Sequence, residues 1–116
     1  HYPLRRQRQM CIRDRFLLEE KNYPASLIAV EKKLKIHTRT KRTDIVVYNT
    51  QGTPEVLIEC KAPSVKITQE TFNQIARYNL TANASYLMVT NGLAHYFCQI
   101  DAENETYVFL KDIPEY

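Results

Sequence analysis

Long apolar runs are missing from this 116-residue chain, and nothing in it approaches the ~18 residues that a membrane-spanning helix needs. No signal-peptide apolar segment is visible, and internal repeats and low-complexity stretches are absent. Cysteine is sparse. The three present, Cys11, Cys60 and Cys98, match neither a disulfide framework nor a zinc site in number or spacing. That usage fits a reduced, cytoplasmic protein. A phosphate-cradling Walker motif is also lacking, which excludes an ATP-driven motor within these residues.

What the chain does have is concentrated in one hairpin. Thr43-Asp44-Ile45-Val46-Val47-Tyr48 and Val56-Leu57-Ile58-Glu59-Cys60-Lys61 are β-branched, apolar runs. They flank Asn49-Thr50-Gln51-Gly52-Thr53-Pro54, which has the composition of a turn. A hairpin centred between Gln51 and Gly52 sets Asp44 directly across from Glu59, with side chains roughly 5 Å apart on one face. Glu59 and Lys61 are two residues apart and share that face, while Cys60 points the other way, toward the core.

Two carboxylates with the Cys60 backbone carbonyl between them offer the hard oxygen ligands that Mg²⁺ prefers, with Mn²⁺ as the alternative. A metal so held activates water and offsets charge on a phosphate. Lys61 can then hold or deprotonate the attacking water, or stabilise the developing oxyanion. The bland alternative is an ordinary solvated sheet face carrying a weak ion pair. Against it, Asp44 and Glu59 adjoin strongly apolar runs, and directly opposed like charges are unfavourable without a cation between them.

The wider pattern predicts a single domain of class α/β, laid out α-β-β-β-α-β-β with a final short strand. Phe16 to Lys21 reads as the tail of a helix broken by Asn22 and Pro24, and Leu27 to Ile36 as a strand. Thr68 is the expected N-cap of a helix running to about Thr81, with Glu70 in its first turn. Phe72, Ile75, Ala76 and Leu80 form its apolar stripe. Tyr86–Thr90, His95–Ile100 and Thr106–Leu110 read as strands, with a turn at Asn91-Gly92. Gln74 and Tyr78, four apart, share a neighbouring helix face, and spacing alone leaves them open to a purely structural boundary role. Between residues 32 and 42, Lys32, Lys33, Lys35, Arg39, Lys41 and Arg42 surround His37 in what reads as a basic loop. Such a loop is either a solvated turn or a phosphate contact beside the metal; Lys41 and Arg42 lie nearest the site, and Lys66 is a weaker candidate. His37 and His95 read as ordinary polar residues, since Mg²⁺ favours oxygen.

Asp44, fourteen intervening residues and Glu59-Cys60-Lys61 resemble the D…(D/E)-x-K core of the PD-(D/E)xK nuclease superfamily, and Gln74-Ile75-Ala76-Arg77-Tyr78 resembles its Q-x-x-x-Y element. The run from Glu19-Glu20-Lys21-Asn22-Tyr23-Pro24 through Lys61-Ala62-Pro63 to Val89-Thr90-Asn91-Gly92 is similar to the N-terminal-domain family of type I restriction enzyme R proteins, over about residues 16 to 116. The resemblance implies a restriction-endonuclease-like mixed sheet flanked by helices, and a Mg²⁺-dependent DNA endonuclease. Asp44 and Glu59 would hold the metal, Lys61 would act on water, and Gln74 would support the site. Tyr78 would contact DNA, and restriction-modification subunits would be partners. It also implies an N-terminal helix longer than the one here, able to supply another acidic metal ligand; neither Glu19 nor Glu20 is assigned that role. The rival reading is a non-cleaving DNA-binding or interaction module that retains the nuclease fold; a plain structural α/β domain is the third. The closing Asp112-Ile113-Pro114-Glu115-Tyr116 reads as a natural terminus, and no helicase motor or target-recognition domain is present, so complete type I restriction is not expected of this chain.

Arg5-Arg6-Gln7-Arg8-Gln9-Met10-Cys11-Ile12-Arg13-Asp14 matches, residue for residue, the translation of a transposase-based sequencing-library adapter, with Arg15 at the junction. Residues 1–15 therefore read as a non-native segment, to be set aside from fold and function, and 16–116 as an N-terminally truncated nuclease domain. The charge changes with it. The whole chain has 16 basic and 13 acidic residues, a formal +3. Without Arg5, Arg6, Arg8, Arg13, Arg15 and Asp14, 11 basic and 12 acidic residues remain, a formal −1. Net charge thus gives no argument for nucleic acid.

Overall fold

Alternating and continuous β-branched runs build six strands here, and they assemble into one sheet in sequence order. The computed structural model describes residues 9, 12–36, 39–79, 84–101, 103–104 and 106–110, with backbone alone at 15, 31–36, 39–43 and 78. The strands are β1 (Ile28–Ile36), β2 (Arg39–Tyr48), β3 (Pro54–Cys60), β4 (Tyr86–Thr90), β5 (His95–Asp101) and β6 (Thr106–Leu110). Helix α1 (Ile12–Glu20) precedes them and α2 (Gln69–Asn79) connects β3 to β4. Neighbours pair antiparallel except β3 and β4, which run parallel; a parallel pair needs a crossover, and α2 supplies it.

Each face of the sheet is covered by one helix. Ile45, Val47, Val56, Ile58, Met88 and Phe97 pack with Phe16 and Leu17 of α1. Val46, Leu57, Leu87, Val89 and Cys98 pack with Phe72 and Ala76 of α2. Strict alternation along β2 and β3 sends successive residues to opposite cores. The expected mixed α/β arrangement is what forms.

Local chemistry explains the element ends. Thr68 caps α2 as expected, its Oγ1 accepting the Thr71 N–H at 3.1 Å. Phe72, Ile75 and Ala76 form the packing stripe; Leu80, Thr81, His37 and residues 112–116 lie outside the described residues. Helix α1, whose tail carries the expected helical residues from Phe16, is wound wide, as a π-helix. The Lys21 N–H reaches back to the Phe16 carbonyl at 3.0 Å, and Asn22 stops the winding at φ 60°.

One expectation is corrected. Residues 39–42, read as part of a basic loop, belong to strand β2: Lys41 pairs with Leu34 and Arg42 with Lys33 across a long β1–β2 ladder. Backbone pairing with an equally long partner satisfies their amides, whatever the polarity of the side chains.

Candidate active site

The β2–β3 turn fixes the site's register. The Asn49 Oδ1 accepts the Gln51 and Thr53 N–H groups at 3.0 and 3.1 Å, and Gly52 takes φ +81°, which a side chain disfavours. Pro54 brings no N–H to the ladder. The register shifts between Val47 and Tyr48, so that Tyr48 pairs with Pro54, and beyond it Val47 pairs with Val56 and Ile45 with Ile58. The bulge leaves intact the register expected from a turn centred between Gln51 and Gly52. Carried one step on, it sets Asp44 opposite Glu59. By alternation, Asp44, Glu59 and Lys61 share parity with Val46 and Leu57, on the α2 side. Cys60 packs toward the α1 core, as expected.

Asp44 is buried, at 4% exposure, and its carboxylate is tied to β3: the Cys60 N–H donates to Oδ2 at 2.8 Å. Carboxylates need such donors when taken out of water. Glu59 and Lys61 are half-buried. Lys61 is anchored by its backbone N–H, which donates to the Thr90 carbonyl at 2.7 Å. The parallel pairing sets Cys60 beside Thr90, so the site lies at the carboxyl end of the β3–β4 pair, the usual position for ligands in α/β sheets.

A residue that sequence reasoning had set aside also enters the site. Gln9 is fully buried, and its Nε2 donates to the Asp44 Oδ1 at 3.0 Å. Its Oε1 is buried with no hydrogen-bond partner. Gln9 falls in the adapter-like stretch, and no signal in that stretch pointed to Asp44. The Asp44 and Glu59 carboxylates and the Cys60 backbone carbonyl are hard oxygen donors of the kind that Mg²⁺ takes together with several waters. Among the described residues no group of three or more His, Cys, Asp and Glu is placed to hold an ion.

Gln74 is exposed on α2, and no described contact ties it to Asp44, Glu59 or Lys61. The side chains of Tyr78, Lys41 and Arg42 lie outside the described residues; their backbones stand on α2 and β2. Lys66 is exposed in the segment between β3 and α2. His95, read as an ordinary polar residue, has its Nδ1 2.6 Å from the Thr90 Oγ1. Asn91 locks the adjoining turn: its Nδ2 donates to the Val65 carbonyl at 2.8 Å, and its Oδ1 accepts the Leu93 and Ala94 N–H groups at 2.9 and 2.8 Å. It thereby ties the β4–β5 turn to the segment following Lys61.

Among the described residues, no helix is long and apolar enough to cross a membrane. The family model that matches residues 5–114 is described as the type I restriction enzyme R protein N terminus. The match begins earlier than the expected span, within the adapter-like stretch. No curated protein matches the chain.

Proposed function

The chain belongs to the family of type I restriction enzyme R protein N-terminal domains, and from that premise we propose that it is a Mg²⁺-dependent DNA endonuclease domain of the PD-(D/E)xK kind. The observation that carries this reading is the buried Asp44 carboxylate held by the Cys60 N–H at 2.8 Å. That contact joins β2 to the middle of Glu59-Cys60-Lys61, bringing the three chemically useful side chains to one strand end.

Asp44, Glu59 and the Cys60 carbonyl would hold the ion, with Mn²⁺ as its substitute. When bound, such an ion lowers the pKa of water and offsets charge on the phosphate. Asp44 is fixed by its hydrogen bonds, so that its oxygens are pre-organised rather than gathered at the moment of binding. Lys61, set on the same face two residues beyond Glu59, orients the attacking water or steadies the phosphate oxygens. Gln74 would contact the Lys61 ammonium, the metal-bound water or a backbone phosphate, and Tyr78, Lys41 and Arg42 would contact DNA. The partners that follow are DNA and other restriction-modification subunits, in the cytoplasm. On this reading residues 1–15 are a foreign segment and residues 16–116 the nuclease domain. A second reading, a DNA-binding module that does not cleave, is favoured by the count of only two described carboxylates at the site.

Cleavage of plasmid and single-stranded DNA in Mg²⁺ decides between them. The parent chain is expected to cut, and both Asp44→Ala and Lys61→Ala to lose at least about 100-fold in rate, the scale of a lost charge-stabilising group. Cleavage that survives both substitutions would falsify the assignment. Salt-sensitive binding without cleavage would support the second reading.

A further inference from the structure

The β1–β2 ladder places two basic residues side by side next to the candidate site. Lys33 pairs with Arg42, and one register holds from Ile28 opposite Val47 to Ile36 opposite Arg39. Opposed residues of an antiparallel pair belong to one face of the sheet. Two routes identify that face. Arg42 is two residues from Asp44 and four from Val46, which packs in the α2-side core. On β1, Ile28 and Val30 pack on the α1 side, so Ala29 and, four residues on, Lys33 take positions on the α2 side. Lys33 is therefore the diagonal neighbour of Asp44, at roughly 7–8 Å. Lys32, paired with Thr43, takes a position on the α1 face by the same alternation. Among the described residues, the α2-side core includes Val46 of β2 and nothing from β1, so α2 lies over the middle of the sheet, not over its β1 edge. Like charges directly opposed across a strand pair are unfavourable unless a counter-charge lies between them. With the Asp44 and Glu59 charges taken up by the ion, the basic pair needs an anion of its own.

We propose that Lys33 is a DNA-binding residue, which with Arg42 holds a backbone phosphate next to the one at the ion. The proposal rests on the nuclease reading. It gives the bound strand a path, from Lys61 at the end of β3, past Asp44, toward the β1 edge. The contact is to phosphate, so it positions the strand and reads no base. Lys32 and Lys41 take the alternate positions, and any DNA contact they make lies outside this path.

Lys33→Gln and Lys32→Gln, neighbouring substitutions that remove the same charge from opposite faces, test it in the 116-residue chain. Binding of a fluorescently labelled DNA duplex is measured from about 50 to 200 mM salt, in Ca²⁺, which takes oxygen ligands as Mg²⁺ does. Lys33→Gln is expected to weaken binding roughly tenfold at the lowest salt, the scale of one hydrogen bond to a charged group. It should also lower the slope of log affinity against log salt by about one. Lys32→Gln should keep the parent's slope, and Lys33→Arg, which retains the charge, should recover it. An unchanged slope in Lys33→Gln, or an equal loss in Lys32→Gln, would overturn the proposal alone. Lys33→Thr, a residue suited to strands, takes the place of Lys33→Gln if that variant does not fold. Absence of DNA binding by the parent would overturn the nuclease reading and this inference with it.

Discussion

Two antiparallel hairpins of the same sheet, β2–β3 and β5–β6, show opposite relations to water. In the central one Ile45, Val46, Val47, Val56, Leu57 and Ile58 are all fully buried, and its polar residues are held at one end. In the outer one Val108 is 62% exposed and Phe109 47%, because β6 is an edge strand. Phe109 nonetheless packs its ring 4.9 Å from Phe72 of α2, and the Tyr107 hydroxyl donates to the Asn73 carboxamide oxygen. A two-sided core over-determines the register of β2–β3, since a one-residue slip would exchange its two buried faces. The outer pair has no such constraint on both faces. The candidate site sits on the pair whose register cannot drift, where the relation of Asp44 to Cys60 is set by the packing of six neighbours rather than by its own contacts.

The comparison breaks most severely at Leu57. Leu57→Ala empties a fully buried position in the α2-side core, and a destabilisation of about 2–5 kcal/mol is expected, read as a lower midpoint in urea at unchanged slope. A loss under 1 kcal/mol would mean that the central pair is less rigid than its burial implies.

Next in size is a pH effect on the outer pair. Burial pushes the Cys98 thiol up to about 12, against an ordinary 9.0, and outweighs a backbone hydrogen bond from Leu87 that lowers it. The unfolded chain then releases this proton near pH 9 while the folded chain keeps it, so the contribution is fully present below pH 9 and is lost as pH rises toward 12. The slope is at most about 1.4 kcal/mol per pH unit. Cys98→Ala lowers stability at neutral pH by removing core volume, but the difference from the parent should shrink between pH 9 and 11 in urea unfolding. A constant difference over that range would show that Cys98 does not carry the slope. Loss of the helix cap comes third. Thr68→Ala removes the acceptor of the Thr71 N–H and should cost about 1 kcal/mol; an effect near zero in the same urea titration would mean that water replaces the cap without loss.

Much of the central hairpin was legible because its signals were local. Asn49, Gly52 and Pro54 marked the turn, apolar runs marked both strands, and the D…ExK spacing then fixed which residues meet. Thr68 announced its helix for the same reason. The strand residues Arg39–Arg42 were not legible: their amides pair with β1, a contact that their polar side chains do not advertise. Nor was the bulge at Val47 and Tyr48, which lies inside an unbroken apolar run. The tie between Thr90 and His95 closes the antiparallel β4–β5 hairpin, a side-chain contact that the Asn91-Gly92 turn signal does not announce. Gln74, which the sequence motif joins to the site, is exposed on α2 beside the packed Phe72 and Ala76.

The smallest expected effect sharpens the contrast from the other side. Val108 belongs to a hairpin strand with the same β-branched chemistry as Val56, but Val108 is mostly in water and Val56 is fully buried. Hydrophobic stabilisation follows the area removed from water, not residue type. Val108→Thr, which preserves β-branching, should therefore change stability by no more than about 0.5 kcal/mol. Val56→Thr places a hydroxyl in the α1-side core and should cost roughly 1–3 kcal/mol. Measured side by side by urea unfolding, equal losses would mean that β6 is covered in solution, by a second chain or by residues beyond Leu110. A large difference would establish that the sheet grows less constrained from β3, the strand bearing Glu59, toward the β6 edge.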